Sequence, residues 1–207
     1  GGGLAGWRLT TDSPSKERKA LREASRLIDD ALGRRQACSI ASCGGGGGAR
    51  GLALLRCDDA AVDVVGVARA ICGGEGTAQA ARRAPHVIRL LPVQSTCAVE
   101  HGAILAALKP LLAAHTDWAR TFAVLFTRRA KAHADAPSRR IDRDALVDAI
   151  VDEVEAVAAA AAVSLDAPET AILVDVFDGG ACLAVVGGWL ASHECNLRKS
   201  ALTRGGV

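Results

Sequence analysis

The sequence holds no Met and no Tyr, and only three Phe and three Trp among its 207 residues. A core built from it must therefore draw on Ala, Val, Leu and Ile, since half the chain is nonetheless apolar. Scarce aromatics also weigh against reading single-stranded nucleic acid by stacking bases on rings. No run of about 18 apolar residues occurs, so no membrane-spanning helix is expected. No charged-then-apolar leader opens the chain, which points to a soluble, non-secreted protein. The start at Gly1 and the missing Met point to a fragment or a trimmed chain, one that could have lost a targeting segment.

The seven cysteines (Cys38, Cys43, Cys57, Cys72, Cys97, Cys182 and Cys195) are odd in number and scattered, and none forms a C-x-x-C. That pattern excludes a disulfide framework and a zinc ribbon. They read as small apolar residues in a reducing compartment. His101 and His115 lie near Cys97 but match no metal spacing, so surface histidines are expected. No G-x-S-x-G elbow, deaminase signature, dinucleotide fingerprint or informative carboxylate pair is present. The expectation is a binding module without catalytic residues, metal, cofactor or small-molecule substrate. The net charge of +2 is too small to identify a partner.

What is present is a regular alternation of strand and helix patterns. Residues 5–11 suit a short strand. Ser13-Pro14 then opens a helix, the hydroxyl capping and the proline in its first turn. Leu21, Ala24, Leu27, Ile28, Ala31 and Leu32 recur at helical spacing to Gly33, a stop. Gly44 to Gly48 lack the Lys-Ser or Lys-Thr of a phosphate loop and read as an inserted linker. Gly51–Cys57 suits a buried strand, and Asp58 or Asp59 a cap for a helix with stripe Ala61, Val64, Val65, Ala68 and Ile71, ended by Gly73-Gly74. Val87–Val93 is too continuously apolar for a half-exposed strand, and Pro92 places it at an edge or at its end. This order fits an α+β domain of ferredoxin-like type over residues 1–93.

A second module follows. Its first helical stripe, Ile104, Leu105, Leu108, Leu111 and Leu112, contains Pro110 and is expected to kink or split there. Thr121–Thr127 is a strand. Asp142 caps a helix with stripe Leu146, Ala149, Ile150, Val154 and Val157, which Ala158–Ala162 extend or let fray. Ala171–Phe177 and Ala181–Val186 form a hairpin around Asp178-Gly179-Gly180. The module is expected to span 94–192, with a tail over 193–207.

Between Arg128 and Arg143 six basic residues (Arg128, Arg129, Lys131, Arg139, Arg140, Arg143) face two acids (Asp135, Asp142), a local balance of +4. The segment reads either as a solvated loop or as a phosphate-binding surface. In the second reading guanidiniums neutralise an RNA backbone and the helix start at Asp142 adds main-chain N–H groups. Cys97, between strand and helix, reads as a buried thiol rather than an activated thiolate.

Arg89-Leu90-Leu91-Pro92-Val93-x-x-Thr96-Cys97 carries a resemblance. Together with Thr121–Thr127 running into Arg129, Asp142-Arg143-Asp144, Val163-Ser164-Leu165-Asp166-x-Pro168, the hairpin and Asn196-Leu197, it resembles the THUMP-domain family. More narrowly, it is similar to the stand-alone members that act as tRNA acetylation adaptors. Gly44–Gly48, Ala158–Ala162 and a long Ala134–Arg140 stretch depart from the pattern. The resemblance implies a ferredoxin-like domain followed by an α/β THUMP domain, and a nuclear or nucleolar, or else cytoplasmic, location. It implies tRNA binding without catalysis, in partnership with an RNA cytidine acetyltransferase that makes N4-acetylcytidine in the D-arm of serine and leucine tRNAs. Arg89, Arg129 and Arg143 are the RNA contacts it implies; Arg128, Lys131, Arg139 and Arg140 join them on local charge. Two rivals stand beside it. One is the RNA-binding part of a larger methyltransferase or thiouridine synthetase. The other is a protein-interaction module whose basic loop docks an acidic partner.

Overall fold

The computed structural model describes residues 3–41, 52–73, 77–129, 140–177 and 179–202. They pack as two units, and the second is the continuous stretch Gln94–Trp189. The first gathers the described residues from Leu4 to Val93 and those from Leu190 onward.

The first unit runs β1 (Gly6–Thr11), α1 (Glu17–Leu32), β2 (Cys38–Ala41), β3 (Leu52–Cys57), α2 (Val64–Gly73), α3 (Thr77–Arg83) and β4 (Val87–Val93). The sheet order β2-β3-β1-β4, antiparallel throughout, is that of a ferredoxin-like α+β sandwich. Leu21, Ala24, Leu27 and Ile28 of α1 are buried, as their spacing predicts, and Ala20 joins them, whereas Ala31 is exposed and Leu32 half-buried. Gly33 ends the helix at φ +63°, where a side chain would be strained. α2 buries Val64, Val65, Val67, Ala68 and Ile71, and the Trp7 indole N–H donates to the Val64 carbonyl at 3.0 Å. Pro92 sits opposite Trp7 on β4, an outer strand, where a missing N–H removes nothing from the sheet.

Several expectations need correcting here. Ser13 caps nothing: a 3-10 turn, Pro14–Lys16, precedes α1, and the Ser13 hydroxyl meets that of Ser15. Asp63, not Asp58 or Asp59, receives the first free N–H groups of α2, through Val65 at 3.1 Å. Asp59 instead holds a preceding turn through the Ala61 N–H, so Ala61 lies outside the helix. β2 and α3 are additions to the expected order. Gly44–Gly48 and Cys43 lie outside the described residues.

The second unit runs β5 (Ser95–Cys97), α4 (His101–Ala114), β6 (Thr121–Arg129), α5 (Arg143–Val157), β7 (Ala162–Val163), β8 (Thr170–Phe177) and β9 (Gly180–Gly187) in sheet order β5-β9-β8-β6-β7. Its core joins Ile104, Leu108 and Leu112 of α4 and Leu146, Ile150 and Val154 of α5 to one face of the sheet through Phe122, Ile172, Val174 and Leu183. Pro110 does not split α4: the buried Leu108 and Leu112 bracket it and hold one continuous helix despite the lost hydrogen bond. The alanine run does not extend α5, which stops at Val157; Ala162 instead opens β7.

The Val87–Val93 strand ends as expected, and after Gln94 a further short strand begins. Ser95–Cys97 pairs with β9, and the Gln94 carboxamide oxygen accepts the Val185 N–H at 2.7 Å. Residues from Leu190 do not behave as a free tail. Cys195 and Leu197 are buried, and Asn196 bridges to Arg89 of β4 before α6 (Leu197–Leu202) begins.

Candidate nucleic-acid interface

Strand direction decides where charge collects. β5 and β8 are both antiparallel to β9, and β6 is parallel to β8, so β5, β6 and β8 share one direction. Their carboxyl ends lie at one end of the sheet. α4 leaves that end from β5, and α5 begins after the chain leaves it from β6. In open α/β sheets this end is where ligands bind, because helix N-termini and strand ends converge there.

Arg128 and Arg129 are the last two residues of β6, and Arg140 and Arg143 flank the start of α5. The Arg128 guanidinium donates to the Ile141 carbonyl, tying the strand end to the helix start, and lies 5.4 Å over the Phe126 ring. Neither contact neutralises its charge. Arg140 is exposed. Arg143 is 61% exposed and, among the described residues, meets its neighbour Asp144 at 2.9 Å. Four of the seven expected contacts therefore sit at one sheet end. Lys131 and Arg139 lie outside the described residues.

Arg89 belongs to the first unit, and its guanidinium lies 3.8 Å from Glu194, which also takes Lys199 at 2.6 Å. Lys199 could not have been singled out from local charge, because its neighbour Arg89 is far away in sequence. Glu194 reaches both through a left-handed turn in which His193, Glu194 and Cys195 all have positive φ.

The two helix N-termini differ. Asp142 caps α5 as expected, its carboxylate accepting the Asp144 and Ala145 N–H groups at 3.1 and 3.2 Å. Those N–H groups are thereby taken, so α5 offers an anion less than its sequence suggests. α4 makes no side-chain cap hydrogen bond, and its N-cap residue is an acid, the exposed Glu100, whose carboxylate offsets the positive pole of this 14-residue helix. Sequence reasoning did not place this N-terminus at the same sheet end as β6, because β5 and β6 are shown to run in one direction only by the strand pairing. Cys97, at the same end, has its thiol pushed up to about 11 by burial, which keeps it protonated and a poor nucleophile.

The sheet end thus collects guanidiniums, groups whose chemistry suits phosphate. Residues 102–186 match the THUMP domain family, so the second unit carries a THUMP domain, an RNA-binding domain. Among curated proteins none matches the sequence. Solved structures with a similar fold include TrmN from Thermus thermophilus (19% identity, TM-score 0.51, 86% of this chain and 44% of that one). PH1313 from Pyrococcus horikoshii Ot3 matches with 12% identity and TM-score 0.54, over 90% of this chain and 56% of that one. A 4-thiouridine synthetase solved as an RNA complex with bound ATP matches with 12% identity and TM-score 0.50, over 90% and 42%. This chain thus spans about half the length of the structures it resembles, and at these identities the likeness is one of fold.

Proposed function

We propose that this protein is a tRNA-binding adaptor that presents tRNA to an RNA cytidine acetyltransferase for N4-acetylcytidine formation in the D-arm of serine and leucine tRNAs. The observation that carries the binding step is the gathering of Arg128, Arg140 and Arg143 at one end of a THUMP-domain sheet. Such groups neutralise and orient a phosphate backbone, and the scarcity of aromatics fits recognition by shape. The acetylation step rests on the resemblance of residues 87–97 and 163–197 to the adaptor proteins. Deleting the gene and measuring N4-acetylcytidine in tRNA tests it: a loss is expected, and unchanged levels overturn it.

A second reading is favoured by chain coverage. Because the chain spans 42% of a 4-thiouridine synthetase of similar fold, it also suits the RNA-binding part of a larger tRNA-modifying enzyme. The full-length gene product separates the two, since a catalytic domain in it would retire the adaptor reading.

A further inference from the structure

The end of α5 remote from the basic groups has the opposite character. Val157, its last residue, is 46% exposed, Val163 of β7 is 54% and Leu165 is 75%. Between Val157 and Val163 the chain is alanine throughout, with Ala158 and Ala161 packed on the core, so the patch is anchored. β7 is the outer strand of its sheet. The Ala162 and Ser164 N–H groups donate to the Arg120 and Phe122 carbonyls, so alternation turns the N–H and C=O of Val163 outward, away from β6. An apolar outer strand of this kind is a template for another chain.

Charge identifies the occupant. Between Arg143 and Arg198 the sequence contains no Lys or Arg. α5 accordingly has no basic residue in its last turn to offset the negative pole of the helix. The exposed Asp152 and Glu155 on the last turns of α5, and Asp166 directly after Leu165, add formal charge of the same sign. The basic residues packed nearest are Lys109 of α4, 2.9 Å from Glu153, and Arg120, whose carbonyl takes the Ala162 N–H; the carboxylates outnumber them, which disfavours RNA here.

We propose that this edge docks a protein: an extended segment of apolar residues alternating with Lys or Arg, laid beside β7 as an added strand. The proposal rests on the adaptor reading, in which the segment belongs to the acetyltransferase. It gives the molecule two working ends, one for RNA and one for enzyme.

The test measures binding of the full chain to purified RNA cytidine acetyltransferase and, separately, to tRNA. Val163→Glu/Leu165→Glu is expected to lose at least about tenfold in acetyltransferase affinity. Its tRNA affinity should stay within about twofold, which also reports that it folds. Asp152→Lys/Asp166→Lys, on exposed positions, should weaken the same interaction through charge alone. Undiminished acetyltransferase binding by both variants overturns the docking site and leaves the adaptor reading standing. No acetyltransferase binding by the unsubstituted chain overturns both. A chain that sediments as a dimer, and as a monomer once Val163 and Leu165 are replaced, shows the occupant to be a second copy and overturns the proposal.

Discussion

In the first unit, several basic side chains face carboxylates at close range. Arg34 lies 2.7 Å from Asp59, Arg198 3.1 Å from Asp12 and Lys199 2.6 Å from Glu194, and Arg83 meets Asp30. In the second, Lys109 lies 2.9 Å from Glu153, but at the basic sheet end Arg128 turns to a carbonyl and an aromatic ring, Arg140 is exposed, and Arg143, among the described residues, meets a neighbouring, 83% exposed Asp144. A guanidinium already held by a carboxylate must give up that partner before it can serve a phosphate, whereas one held by a carbonyl keeps its charge. The positive patch that matters is therefore the set of charges left uncompensated, not the densest run of Lys and Arg. By that measure Arg89, paired with Glu194, is a weaker candidate than Arg128.

The largest effect should come from the core that holds the basic end together. Ile150 of α5 is fully buried between the helices and the sheet. Ile150→Ala should lower the unfolding free energy by about 2–5 kcal/mol in urea titrations. A loss well under 1 kcal/mol would mean that α5 does not hold Arg140 and Arg143 through this core.

Next in size is the contrast itself. Arg128→Ala/Arg140→Ala/Arg143→Ala should weaken tRNA binding by roughly 10- to 100-fold and remove about three units of log–log salt slope. Arg34→Ala/Arg83→Ala, which removes the same kind of charge from the first unit, should leave the slope unchanged. Equal effects from the two sets would erase the distinction between paired and unpaired guanidiniums. A smaller effect concerns Cys97, whose thiol is raised to about 11 by burial. Alkylation at pH 8.5, followed by peptide mass spectrometry, should modify it at least about tenfold more slowly than free cysteine.

Much of the architecture is legible in the sequence because its signals are local. The α1 stripe from Leu21 to Ile28, the Gly33 stop, the Asp142 cap and the 170–187 hairpin each follow from residues within one element. What stays hidden depends on partners distant in sequence. β2 and β7 are short strands of four and two residues, so neither shows a period, and each is a strand only through its neighbour, β3 or β6. Pro110 breaks a helix in isolation, but two buried leucines outweigh it. The start of α4 shares a sheet end with Arg128 and Arg143 only once β5, β6 and β8 are known to run in one direction. The apolar end of α5 is legible in the sequence only as an alanine run; that Val163 lies on an outer strand follows from the pairing of β7 with β6.

The smallest effect probes how the first unit spends its charges. Asp59 accepts the Ala61 N–H and the Arg34 guanidinium, and these hold its carboxyl below the usual carboxylate range. A carboxyl depressed in the folded state contributes stability that is present above its unfolded pKa and is lost as pH falls through the folded value. Wild type should therefore be slightly more stable than Asp59→Asn at neutral pH, and the gap should close on acidification below about pH 4. Solvent screens so exposed a pair, so the gap is expected near the limit of a careful denaturation series. Its tRNA affinity should not follow, because Arg34, once released, lies in the first unit and not among the groups at the basic end of the second. A variant that gained tRNA affinity as Arg34 was freed would show that the first unit's ion pairs hold its basic side chains back from RNA, and the contrast between the units would become one of degree.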